Sequence, residues 1–121
     1  MINQNDVLAT MGGVIKKDDL GNLFIAFGST DINQNKIDYI TTLKDIKGLL
    51  FYCCSFNEVD LSILSTVGIQ NISVLHGSFG DRELNQLVDF TALKIIKLHD
   101  TKVSKSFLES LKVDKPNITF I

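Results

Sequence analysis

The chain has no tryptophan, one proline (Pro116) and one arginine (Arg82) among its 121 residues. No stretch approaches the roughly 18 continuous apolar residues of a membrane-spanning helix. The opening residues, Met1-Ile2-Asn3-Gln4-Asn5-Asp6, carry neither the basic start nor the long apolar run of a secretory signal. These absences lead to the expectation of a cytoplasmic protein without a membrane segment. A lone arginine and the lack of a dense basic stripe argue against a nucleic-acid partner. There is no low-complexity tract and no linker composition, so one domain over residues 1–121 is expected.

Cysteine is scarce too. Cys53 and Cys54 are adjacent. A strand points their side chains in different directions, so a disulfide between them would be strained. There is no C-x-x-C pair and no zinc-finger spacing. Gly12-Gly13 lacks the following Lys-Ser/Thr of a phosphate loop and the three-glycine spacing of a dinucleotide fold. Asp6, Asp18 and Asp19 do not form a calcium loop. No cofactor and no metal are expected.

What the chain does have is a repeat. The stretch from Leu93 to Val103 reads L-x-x-I-x-L-x-x-T-x-V, with Ile96 and Leu98 two apart, as one buried strand face requires. Ser104 can cap a following helix in which Phe107, Leu108 and Leu111 fall at helical spacing. Twenty-four residues earlier, Ile69, Ile72, Val74, Gly77 and Phe79 take the same five places. Twenty-three before that, Ile46, Leu49, Phe51, Cys54 and Phe56 take them again. Leu20, Leu23, Ile25, Gly28 and Thr30 fit more loosely, 26 residues further back. Ile118 and Phe120 fit the two strand places at the far end.

The helical places repeat as well. Leu61 and Leu64 correspond to Leu84 and Leu87, then to Leu108 and Leu111. Ile37, Ile40 and Leu43 precede Leu61, Leu64 and Val67 by 24. A 26-residue strand offset beside a 24-residue helix offset implies two extra residues within 31–36. Helices are expected at about 33–45, 58–66, 81–89 and 104–112, with Asp81 as a further N-cap. Residues 1–19 are expected to cap the first coil, with a short helix over Asp6–Met11 ended by Gly12-Gly13 and a strand at Val14–Lys16 that can form a hairpin, Val14–Lys17 against Leu23–Phe27. In the hairpin case Leu20 is a turn residue.

This rhythm resembles the leucine-rich repeat family, L-x-x-L-x-L-x-x-N/C-x-L followed by a returning helix, over residues 20–121. Cys54 matches the Asn/Cys place, while Gly28, Gly77 and Thr101 depart from it. The resemblance implies an α/β solenoid of four to five repeats of 22–26 residues, with a parallel sheet on the concave side and helices on the convex side. Ordinary βαβ units are the rival, but they need roughly 30 residues or more each.

Alternation then assigns three solvent-facing columns: Phe24, Leu50, Ser73, Lys97; Ala26, Tyr52, Leu75, His99; and Phe27, Cys53, His76, Asp100. The apolar members mark an interaction surface. The expected partner-binding residues are Phe24, Phe27, Leu50, Tyr52, Cys53, Leu75, His76, His99 and Asp100. The alternative for the apolar members is burial beneath the N-terminal segment. The third column also admits a thiol enzyme, with Cys53 attacking, His76 as base and Asp100 orienting it, or a metal site. An open sheet offers neither an oxyanion hole nor a water-excluding pocket, which argues against catalysis.

Charge is uneven. Residues 1–90 hold six basic and eleven acidic groups, and residues 91–121 hold six and three. The resemblance implies protein recognition, and small size with an acidic body suggests an immunity protein that neutralises a basic nuclease-type toxin. The other reading of the same repeat is an adaptor that binds through its convex, helical side.

Overall fold

The computed structural model describes residues 4–121; residues 1–3 of the expected capping segment lie outside it. The elements are α1 (Gln4–Thr10), β1 (Gly13–Lys17), β2 (Leu23–Gly28), β3 (Asp31–Ile32), α2 (Gln34–Ile40), β4 (Ile46–Phe56), a 3₁₀ turn (Ser62–Thr66), β5 (Asn71–Gly77), α3 (Asp81–Leu87), β6 (Ile95–His99), α4 (Lys105–Asp114) and β7 (Thr119–Phe120). The strands form a mixed, mostly parallel seven-stranded sheet in the order β1-β2-β4-β5-β6-β7, with β3 beside the end of β4. Apart from the antiparallel β1–β2 hairpin, every pairing is parallel. From β4 onward one helical segment separates each strand from the next, and each new strand lies beside the one before it.

The N-terminal segment holds both the short helix, as α1, and the hairpin of β1 against β2. Asp18 closes its turn by accepting the N–H groups of Leu20 and Asn22, both at 2.9 Å, and Leu20 at the tip is 86% exposed. Helix α1 buries Leu8 against the same core as the strands. Among the described residues the segment closes the end of the core, and Tyr52 on the opposite face stays 48% exposed.

One face of the sheet supplies the core. Ile25, Leu49, Ile72 and Ile96 pair strand to strand at one height, and Phe27, Phe51, Val74 and Leu98 at the next. All but the half-buried Leu98 are fully buried. Over them pack Ile37, Leu61 and Leu84, and Ile40, Leu64, Leu87 and Leu111. These are the repeating helical places of the sequence.

The first and last coils correct the expected register. At the far end Phe120, not Ile118, lies opposite Ile96, an offset of 24 and not 22. In the first coil Ile25, not Leu23, lies opposite Leu49, and Phe27 lies opposite Phe51. Ile32 then lies opposite Phe56. The strand offset is thus 24, equal to the helix offset, and there is no two-residue insertion in 31–36. Phe27 leaves the list of surface candidates: it is 1% exposed and its ring stacks on Phe51 with centroids 5.8 Å apart. Phe51 meets Phe56, and Phe56 meets Phe79, both edge to face at 5.1 and 5.3 Å. Edge-to-face contact sets the positive ring edge against the negative ring face.

Polar groups tie neighbouring coils together. Gln34 accepts from Asp60 N–H at 2.7 Å and donates to Asp60 O at 3.2 Å. One coil on, Gln86 accepts from Leu61 N–H and donates to Val59 O. Asn33 and Ser104 cap α2 and α4 through their side chains. Asp81 corrects another expectation. Gly80 is the N-cap of α3, and Asp81 instead accepts the Ser104 N–H and hydroxyl at 2.7 and 2.8 Å, joining α3 to the start of α4. The expected helix over 58–66 is reduced to the 3₁₀ turn. Buried Lys36 donates to Thr30 Oγ1 at 2.6 Å and to the Asp31 carbonyl, so its amine is satisfied without a carboxylate.

The corrected register has a direct test. Phe27→Ala is expected to cost about 3–5 kcal/mol in a denaturant titration, as deletion of a buried ring does. Phe24→Ala, on the other face, is expected to cost clearly less. Equal losses would restore the earlier alignment.

Candidate functional site

The sheet face turned away from the helices carries the candidate residues. Three rows cross it. Lys16, Phe24, Gly48, Asn71 and Ile95 lie where the parallel strands enter. Val14, Ala26, Leu50, Ser73 and Lys97 form the middle row. Gly28, Tyr52, Leu75 and His99 lie where the strands exit. Phe24, Leu50 and Leu75 are half-buried by their neighbours, and Tyr52 is 48% exposed. The predicted apolar members are therefore contiguous and open to solvent, Phe27 excepted. Phe24 sits one row nearer the entry end than its expected place beside Leu50. Val14 and Ile95 extend the surface at either side and are 40% and 38% exposed. Alternation along β1 and β6 places both there, so the pattern carried a signal for them.

Beyond the exit row the backbone does something regular. Ser29, Cys53, His76 and Asp100 all have positive φ, between 50° and 63°. They are 24, 23 and 24 residues apart. The left-handed residue ends each strand's alternation, and the next residue turns back into the core. Thr30, Cys54, Gly77 and Thr101 hold that following place, so Thr30 replaces the expected Gly28. At Gly77, with φ of 95°, a β-carbon would come within 2.1 Å of the Cys54 carbonyl, which makes glycine obligatory. Burial raises the Cys54 thiol above its ordinary pKa, opposed by backbone hydrogen bonds from Thr30 and Tyr52 and by the Lys36 charge. Cys54 is thus an inert core group, as expected for a buried thiol.

In the left-handed row, His76 and Asp100 meet. Nδ1 of His76 lies 2.8 Å from Oδ2 of Asp100. The His76 ring stands edge to face with Tyr52 at 5.7 Å and with His99 at 5.5 Å. The hydrogen bond from His76, and then its charge, hold the Asp100 carboxyl below the usual aspartate range. The orienting half of a Cys-His-Asp arrangement is therefore present. The nucleophilic half is not formed, because among the described residues no hydrogen bond links Cys53, which is exposed, to His76. Nor do three or more His, Cys, Asp or Glu side chains converge among the described residues in a way that could hold a metal ion.

The sequence alone did not single out Gly48. Opposite Phe24 and Asn71, it leaves a depression of about 260 Å³ lined by Phe24, Leu50, Leu49, Ser73, Lys47 and Asp18, among others. A β-carbon there would lie 3.1 Å from that of Phe24, so glycine lets Phe24 approach the β4 backbone closely at the hollow. Acidic groups gather elsewhere. Asp31, Glu58 and Asp60 are exposed on the segments that follow β2 and β4, at the exit edge.

A scan against protein-family models and a search of curated proteins gave no match. Among the described residues no helix is long and apolar enough to cross a membrane.

Two outcomes are expected from this geometry. Cys53→Gly is neutral to stabilising, by up to about 1 kcal/mol in thermal unfolding, because glycine relieves a left-handed conformation while loosening the unfolded chain. The Asp100 carboxyl, followed by NMR, titrates below an ordinary aspartate, and His76→Ala raises it. A carboxyl depressed in the folded state stabilises above its unfolded pKa and ceases to as pH falls through the folded one. The loss is therefore confined to acid, and it is small because Asp100 is exposed.

Proposed function

We propose that this chain is a protein-recognition module, a short solenoid of the leucine-rich-repeat kind, that binds its partner through the open sheet face. The observation that carries this reading is the contiguous apolar strip of Phe24, Leu50, Tyr52 and Leu75 on a face free of helices among the described residues. Such surface usually marks an interaction site, and tyrosine is a frequent hot-spot residue. The solenoid reading is supported by the 24-, 23- and 24-residue offsets and by parallel strands added in chain order. Stacked repeats offer extended surfaces without built-in chemistry.

In its specific form the module is an immunity protein that captures a basic nuclease-type toxin. The apolar strip anchors the toxin, and Asp31, Glu58 and Asp60 at the exit edge steer it. Fast capture matters for such an inhibitor, and complementary charge raises association from roughly 10⁵–10⁶ toward about 10⁸ M⁻¹s⁻¹ at low salt.

The test is to co-express the protein with the product of its neighbouring gene and follow survival. Rescue is expected for the wild type and lost in Leu50→Lys/Tyr52→Lys. With the purified pair, salt is expected to slow association, and Tyr52→Ala to act mainly on dissociation. Absence of rescue removes the immunity form. Full binding by Leu50→Lys/Tyr52→Lys removes the open face as the site.

A further inference from the structure

The charges around the open face differ in sign from one end to the other. At the exit edge stand the acidic groups just named. Around the Gly48 depression the balance is reversed. Lys47 lines it, Lys16 lies opposite Phe24 on the strand to one side, and Lys97 lies opposite Ser73 on the strand to the other. Among the described residues none of these three lysines forms an ion pair. The one carboxylate lining the hollow, Asp18, is engaged by the hairpin turn through the N–H groups of Leu20 and Asn22. The depression is thus an apolar floor framed by three unpaired cations.

We infer that the hollow over Gly48 is an anchor subsite for one large apolar side chain of a protein partner, on a segment that carries a carboxylate directly beside that side chain. The inference rests on the open-face reading and adds the chemistry of one end of it. Phe24 and Leu50 supply the apolar contact, and the missing side chain at Gly48 supplies the room. Lys16, Lys47 and Lys97 are within one strand of the hollow, so a carboxylate flanking the anchor reaches one of them on either side. A basic partner satisfies both ends when such a segment covers the strand entries and its cationic surface lies over Asp31, Glu58 and Asp60. The opposed charges then fix which way round the partner docks, since the reversed orientation sets like charges against each other at both ends.

The experiment uses random peptides displayed on phage, selected against the full chain and remeasured as synthetic peptides by fluorescence anisotropy. Enriched peptides are expected to pair a Phe, Leu, Met or Ile with an adjacent Asp or Glu. Their binding is expected to weaken with salt, and to fall by about tenfold or more in Ser73→Phe, which fills the hollow, and in Lys47→Glu. Lys97→Glu, on an exposed side chain, repeats the charge test without touching the hollow. A circular-dichroism melt identifies any variant that has lost the fold. Peptides without a carboxylate, or binding unchanged by Ser73→Phe, overturn the subsite; so does a lack of enrichment. Peptides lost in Tyr52→Lys but indifferent to Ser73→Phe and to both lysine reversals overturn it while leaving the open face as the binding surface.

Discussion

Each parallel strand must deliver two apolar side chains to the core at the same heights as the strand before it, and the rest of the structure follows from that alignment. Ile25, Leu49, Ile72 and Ile96 meet across the sheet, as do Phe27, Phe51, Val74 and Leu98. With the strands held level, the returning segments are level too, and Leu61, Leu64, Leu84 and Leu87 close over the same core. A one-residue slip in any strand would turn its apolar pair to solvent. The polar ties from Gln34 and Gln86 reach the same segment, residues 59–61, from the coils on either side of it.

The alignment also determines the surface. Side chains between the inward pairs must point to the open face, and there Phe24, Leu50, Tyr52 and Leu75 form a strip. The left-handed residue that ends each strand raises a further row, Ser29, Cys53, His76 and Asp100, beside the strip. Non-glycine residues in this conformation cost about 1–2 kcal/mol each. That row holds the His76–Asp100 hydrogen bond and the ring contacts of His76 with Tyr52 and His99. Acid at the strand exits and lysine near the entries give the open side a charge polarity that the net charge of −2 conceals.

Much of this was legible in the residues. The places of Leu49, Phe51, Ile72, Val74 and Ile96, the returning segments and the hairpin alternative all follow from spacing. The first and last coils did not; at the far end Phe120 took the place expected for Ile118. A shift of two residues preserves the in–out alternation of a strand, so Leu23/Ile25 and Ile25/Phe27 satisfy the pattern equally. The helical offset of 24 from Ile37 to Leu61 favoured the second pair, but spacing alone also allowed an insertion. Only the stacking of Phe27 on Phe51 and the pairing of Ile32 with Phe56 decide it.

Local spacing set the period, the alternation and thereby the core of the middle coils, because burial of a repeated apolar pair depends on neighbours in the chain. Tertiary structure decided what depends on neighbours from different coils. Phe27 is core because Phe51 lies beside it. Asp81 serves Ser104 because consecutive coils bring their helix starts together. The hollow exists because the glycine of one strand falls between Phe24 of the strand before and Asn71 of the strand after. Its lysine frame exists because residues far apart in the chain come to the same height, a coincidence that only the register of the whole sheet can produce.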